Sequence, residues 1–197
     1  MMKLFKRIFF PAAVLLALLA CPKETTAQRI ALKTNLATWA MMGSPNLALE
    51  TRLADRWTLD LGAAGNLWKF SEPKELRFWG VQPEARFWFC EVFNGAFIGL
   101  HAHGGQYNAG GWDLPIGRLK NLKESRYEGG FYGAGLSAGY QWILSPRWNL
   151  EASLGAGWAR TAYRQYECAT CGAMKGEGTY DYFGLTRATL SLIYFFK

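Results

Sequence analysis

The chain has only two histidines, His101 and His103, set one residue apart in an alternating stretch. On a strand, positions i and i+2 project to the same side. The two imidazoles could therefore share a metal ion, with Glu84 or Glu151 completing the ligand set. The plainer reading makes them hydrogen-bonding filler inside a small sheet-built interior. The same spacing recurs with opposite charges at Glu84/Arg86 and Glu50/Arg52. Paired carboxylates can do acid–base work, but an acid with a base two residues along the same strand predicts an interior ion-pair ladder. Cys168-Ala169-Thr170-Cys171 lies among glycine and polar residues, as a loop would. In an oxidising compartment that spacing predicts a local disulfide. A zinc site would need two further ligands, which the neighbouring sequence does not supply. A redox pair would need a strand–helix context that is also missing. Cys90 is left over, as a buried or interfacial thiol. No cofactor is expected.

These residues need elements to hold them, and the elements read as strands. From Tyr132 to Leu144, Tyr132, Ala134, Leu136, Ala138, Tyr140 and Trp142 fall on one face; glycines, Ser137 and Gln141 fall on the other. Trp148–Trp158 alternates likewise, and so does the stretch from Trp57 onward, which sets Leu59 and Leu61 against Thr58 and Asp60. Period 2 bounded by Gly, Pro, Asn and Asp is the strand signature. Eight segments result, near 30–39, 46–53, 57–68, 78–89, 96–107, 130–144, 147–160 and 180–196, and no helix is predicted after residue 28. Short turns at 54–56, 90–95 and 145–146 alternate with long connections at 69–77, 108–129 and 161–179; the connection at 40–45 is short.

That asymmetry belongs to transmembrane barrels, with tight periplasmic turns and longer external loops. The expected fold is all-β, an eight-stranded antiparallel up-and-down transmembrane β-barrel. Lys33, Glu50, Arg52, Asp60, Glu84, Arg86, His101, His103, Glu151 and Arg187 would form its interior polar network. Burying paired charges inside such a wall costs less than exposing them to hydrocarbon. Arg56-Trp57-Thr58-Leu59-Asp60 and Arg147-Trp148-Asn149-Leu150-Glu151 share one pattern after a short turn. They predict a periplasmic aromatic belt joined by Trp88, Trp142, Tyr194 and Phe196. Trp39, Trp68, Tyr107, Trp158 and Tyr163 would form the upper belt. Near-neutral mean hydropathy, −0.06, follows from the alternation.

The start of the chain reads as an export signal over 1–27. Lys3, Lys6 and Arg7 precede an apolar run to Ala20, and Thr25-Thr26-Ala27 offers a cleavage site. The run is too short to span a bilayer as a helix. A rival cut before Cys21 would leave a lipidated cysteine. Residues 28–197 form the single remaining domain. The formal charge of +7 falls to about +4 once the signal's cations leave, and no basic cluster tracks phosphates, so nucleic acid is excluded as a partner.

Several stretches resemble one family of small bacterial outer-membrane β-barrels of unknown function. They are Ala31-Leu32-Lys33-Thr34-Asn35-Leu36, Gln82-Pro83-Glu84-Ala85-Arg86-Phe87-Trp88, Phe97–Gly105 with its Leu-His-Ala-His core, and Gly139-Tyr140-Gln141-Trp142-Ile143-Leu144. The resemblance covers essentially all of 28–197. It implies a barrel at the outer membrane and association with fimbrial or other surface-assembly systems, and it supplies no catalytic residues.

The expected function is a non-enzymatic structural or surface-interaction role in the bacterial outer membrane. Its partners would be outer-membrane lipid and surface or fimbrial proteins. The loop around Trp112, Arg118, Lys120, Lys123 and Arg126 is the preferred contact surface, because binding usually resides in loops carried on a rigid scaffold. The bland alternative for that loop is a solvated fringe. A rival function is an enzyme of lipid A or a related lipid, using His101 or His103 with Ser71 or Ser125. A third reading is a lipid-anchored soluble barrel for an apolar ligand, with Cys21 as its first residue.

Overall fold

In the computed structural model, residues 30–66, 75–110, 125–167 and 172–196 are described. Eight antiparallel strands run in chain order: β1 (Ile30–Asn35), β2 (Asn46–Ala54), β3 (Trp57–Asn66), β4 (Glu75–Trp88), β5 (Gly95–Gly110), β6 (Arg126–Ile143), β7 (Trp148–Tyr166) and β8 (Met174–Phe195). Each pairs with the next, and β8 returns to β1 through Ala31↔Phe195 to Asn35↔Ser191, closing the sheet into a ring. Closure leaves no free edge at this level, as a sheet with one apolar face requires.

Alternation decides which residues enter the ring. Glu50, Asp60, Glu84, Arg86 and Glu151 are all at most 1 % exposed. The opposite positions on the same strands carry Leu49, Leu61, Val81, Leu136 and Leu154, each 45–68 % exposed. The ring is therefore charged inside and apolar outside, the reverse of a water-soluble sandwich.

The strand expected over 30–39 stops at Asn35, where the chain turns into a short helix, α1 (Leu36–Met42). The Asn35 side chain accepts a hydrogen bond from Ala37 N, which satisfies a first-turn amide. Gly43, at φ 55°, ends the helix in the left-handed region that glycine enters without strain. Both signals are local and polar, so hydrophobic period alone does not reveal them.

The wall is uneven in height. β1, β2 and β3 all end on the upper side at asparagines: Asn35, Asn46 and Asn66. Strands β4 to β8 continue beyond them, further than the sequence predicts, so that 108–110, 126–129, 161–166 and 174–179, expected as loop, are strand. Among the described residues, the upper part of the ring is thus a five-stranded curved wall over a complete lower ring.

Candidate functional site

The interior is layered. At the short-turn end it is apolar: Trp88, Phe93, Phe97, Ile193 and Phe195 form a buried cluster. The β4–β5 turn tucks inward to supply Phe93, held at φ 66° although it is not glycine. Asn149 Nδ2 donates to the Phe93 carbonyl at 3.1 Å, which fastens the turn to β7. Trp88 and Phe97 rings lie 4.9 Å apart, and Phe93 and Phe195 5.1 Å apart.

Above this plug lies an ion cluster centred on Arg86, which is fully buried. Its guanidinium meets four carboxylates: Glu84 at 2.6 Å, Asp60 at 2.7 Å, Glu151 at 2.8 Å and Glu50 at 3.1 Å. Lys33 bonds Glu151 at 2.7 Å and also pairs with Glu50. Arg187 reaches Glu84 at 3.3 Å and Asp60 at 3.4 Å. Thr58 and Ser137 donate hydroxyl hydrogen bonds to Glu50 and Glu84. The Arg86 guanidinium also sits 4.4 Å over the Phe97 ring, which joins this layer to the plug. Three cations shared among four carboxylates fill the lumen with paired charge.

Arg52 does not enter this cluster. It pairs with Asp55 at 2.9 Å beside the β2–β3 turn, and a register shift falls between Arg52 and Ala54. The ladder expected at Glu50/Arg52 is therefore absent, and Glu50 takes Lys33 and Arg86 from other strands instead. At Glu84/Arg86 the expected contact is present.

His101 and His103 follow upward. His101 is 1 % exposed, and its Nε2 lies 2.9 Å from Thr186 Oγ1. The two rings stack at 5.8 Å between centroids. Among the described residues, no three His, Cys, Asp or Glu side chains gather to hold a metal ion.

The uppermost layer is aromatic. His103 contacts the Phe131 ring at 6.2 Å, Phe131 contacts Tyr107 at 6.5 Å, and Tyr127 contacts Tyr163 at 5.8 Å. Here the tall wall encloses a cavity of about 770 Å³. Three consecutive transverse rows of β4–β8 line it, and the middle row is Phe78↔Tyr107↔Gly129↔Tyr163↔Gly178.

Three aromatic residues that the sequence assigns to the belts lie inside instead. Trp88 is 0 % exposed, and its Nε1 donates to Thr58 Oγ1 at 3.0 Å, so it belongs to the interior. Tyr107 and Tyr163 likewise lie in the lumen. The signal was present, since Trp88 shares parity with Glu84 and Arg86, and Tyr107 with His101 and His103. Aromatic type outweighed parity in the sequence reading. Cys90 is half-buried and disulfide-bonded rather than a free thiol. Ser125 is buried and accepts a hydrogen bond from Gln165 at 3.0 Å. Arg126 opens β6, with its guanidinium 4.6 Å over the Tyr166 ring. The expected signal segment 1–27 with Cys21, Trp68, Ser71, the loop positions Trp112, Arg118, Lys120 and Lys123, and Cys168 and Cys171 lie outside the described residues.

Eight antiparallel strands in a ring, charged within and apolar without, define an all-β protein of closed-sheet architecture. The chain belongs to DUF3575, a family of proteins of unknown function, which matches residues 13–196. No curated protein matches it.

Proposed function

We propose that this protein is a transmembrane β-barrel of the bacterial outer membrane with a non-enzymatic, structural or surface-interaction role. The observation that carries this reading is the outer wall. On β7, the outward positions from Trp148 to Trp158 are Leu150, Ala152, Leu154 and Ala156; on β6, Tyr132 to Trp142 is equally free of charge. Aromatic groups border this band at both ends. Trp148–Tyr194 and Trp57–Phe87 meet at 5.0 and 5.3 Å on the short-turn side. Tyr132–Trp158 meet at 5.8 Å on the other. Trp148 to Trp158 on one tilted strand spans about 25 Å, the height of the apolar band in outer-membrane barrels. Just above Trp158, the outward Arg160 and Asp181 neutralise each other at 2.9 Å, where headgroups would begin.

The layered lumen favours a closed scaffold over a pore. An apolar plug and an ion cluster fill its lower and middle thirds, so the wall supports a surface that faces outward. The signal-like residues 1–27 and the resemblance noted above agree with export to that membrane and with a role beside surface or fimbrial assemblies. Among the described residues the rival lipid enzyme finds no group placed for it on the outer wall, since both histidines point inward.

Fractionation of native membranes tests this, with boiled and unboiled samples run side by side and co-purifying proteins identified. A heat-dependent mobility shift in the outer-membrane fraction, together with a retained surface protein, is the expected result. Absence from that fraction would overturn the membrane placement. A lone barrel whose loss alters the lipid A profile would overturn the non-enzymatic role.

A further inference from the structure

We infer that the aromatic cup above the ion cluster is a binding site for an uncharged, hydroxyl-rich ring compound, that is, a short neutral oligosaccharide. The argument rests on what changes along the lumen. At the level of Arg86, ion pairs fill the centre of the lumen. Two rows above His101 the ionic groups stop, and Phe131, Phe78, Tyr107, Tyr127 and Tyr163 take their place. A charged ligand would find no counter-ion on these rows and would lose its hydration without compensation. The row that edges the cavity alternates Arg77, Asn108, Glu128, Arg164 and Glu177, two cations against two carboxylates, and so adds no net charge.

A purely apolar ligand fits no better. Neutral polar groups such as Thr161 and Gln165 are interspersed among the rings. Tyr107 and Tyr163, which line the cavity, add phenol hydroxyls. A pyranose ring presents apolar C–H faces to aromatic planes and hydroxyls to amides at its edge. Rigid rings with a few placed polar groups are the usual composition of a small-molecule site, and 770 Å³ lies in the usual range for one.

Glycines keep the cup open. A Cβ at Gly105 would lie 2.1 Å from the Trp79 carbonyl oxygen and 2.9 Å from the Phe131 ring, and one at Gly178 would lie 3.0 Å from the Tyr163 hydroxyl. The rings therefore lie across neighbouring strands and present their faces to the space. The tall wall is continuous sheet, so the site is preformed. The inference takes from the proposed function only the side of the membrane to which the mouth opens.

The test uses the full mature chain folded in a detergent without sugar headgroups, with folding verified by heat-dependent mobility. Maltotriose, cellotriose, mannotriose and chitotriose are titrated by calorimetry and by saturation-transfer NMR, beside 3′-sialyllactose and N-phenylnaphthylamine. At least one neutral trisaccharide is expected to bind, with affinity falling tenfold or more in Tyr107→Ala and in Tyr163→Ala. Leu136→Ala on the outer wall should bind as the parent does. The inference is overturned if no neutral trisaccharide binds, if sialyllactose or N-phenylnaphthylamine binds in preference, or if both tyrosine variants fold and bind unchanged. Should either variant fail to fold, Gly178→Ala, which crowds Tyr163, replaces it with the same expectation. Binding is read on purified protein and location on membranes, so either idea can fail while the other stands.

Discussion

Arg86 carries more of the interior than any other side chain, because its five donors meet four carboxylates from β2, β3, β4 and β7. Removing it leaves Lys33 and Arg187 to balance four buried acids. Breaking a buried ion pair on one side costs about 3–5 kcal/mol, so Arg86→Met should lower unfolding stability in detergent by at least that much, measured by urea titration. Arg86→Lys should recover little, since an ammonium cannot reproduce the fork that bonds Glu84 and Glu151 together. The residue scale also shows what sequence could and could not reveal. The partners of Glu84 and Arg86 follow from strand spacing. Those of Lys33, which bonds Glu151 118 residues away, depend on how eight strands close and on no local signal. Arg52 keeps the parity of Glu50 but sits at the last regular pair before the β2–β3 turn, where Asp55 draws its side chain to the rim, and no spacing rule signals that.

At the scale of elements, the β4–β5 turn does more than connect. It carries Phe93 into the plug at a positive φ, a conformation costing a non-glycine residue about 1 kcal/mol or more. Phe93→Ala keeps that backbone cost and removes the ring, so it should destabilise by about 3–5 kcal/mol. Phe93→Gly removes the same ring but relieves the backbone, and should be milder by about 1 kcal/mol. Thermal unfolding of the two variants checks the order, and equal losses would show that the backbone is unstrained. The helix α1 depends on a cap, and Asn35 also accepts from Leu190 N at 3.1 Å. Asn35→Ala should cost about 1 kcal/mol or slightly more, read in the same assay. Strand positions in β2–β7 were legible because alternation is strong there. The helix and the tall upper strands were not, because polar capping and glycine-rich stretches carry little hydrophobic period.

For the molecule as a whole, the inverted distribution of polarity is the central fact. Paired charge fills the inside of the closed sheet, while leucine, alanine and aromatic residues form the outside. Alternation in the sequence announced two faces without saying which was inward. The content of the polar face decided it, since four acids and three cations within a small lumen can pair only with one another. Leu154 lies near the middle of the outer band, so Leu154→Arg should destabilise the protein in bilayers by about 2–4 kcal/mol. The same change should have little effect if that wall met water. The most direct measurement places a single fluorophore on L136C or L154C, in a background lacking other reactive thiols, and compares quenching by brominated lipid with quenching by aqueous iodide. Strong quenching by the lipid and weak quenching by iodide at both positions is the predicted result; efficient iodide quenching with no response to the lipid would contradict the account.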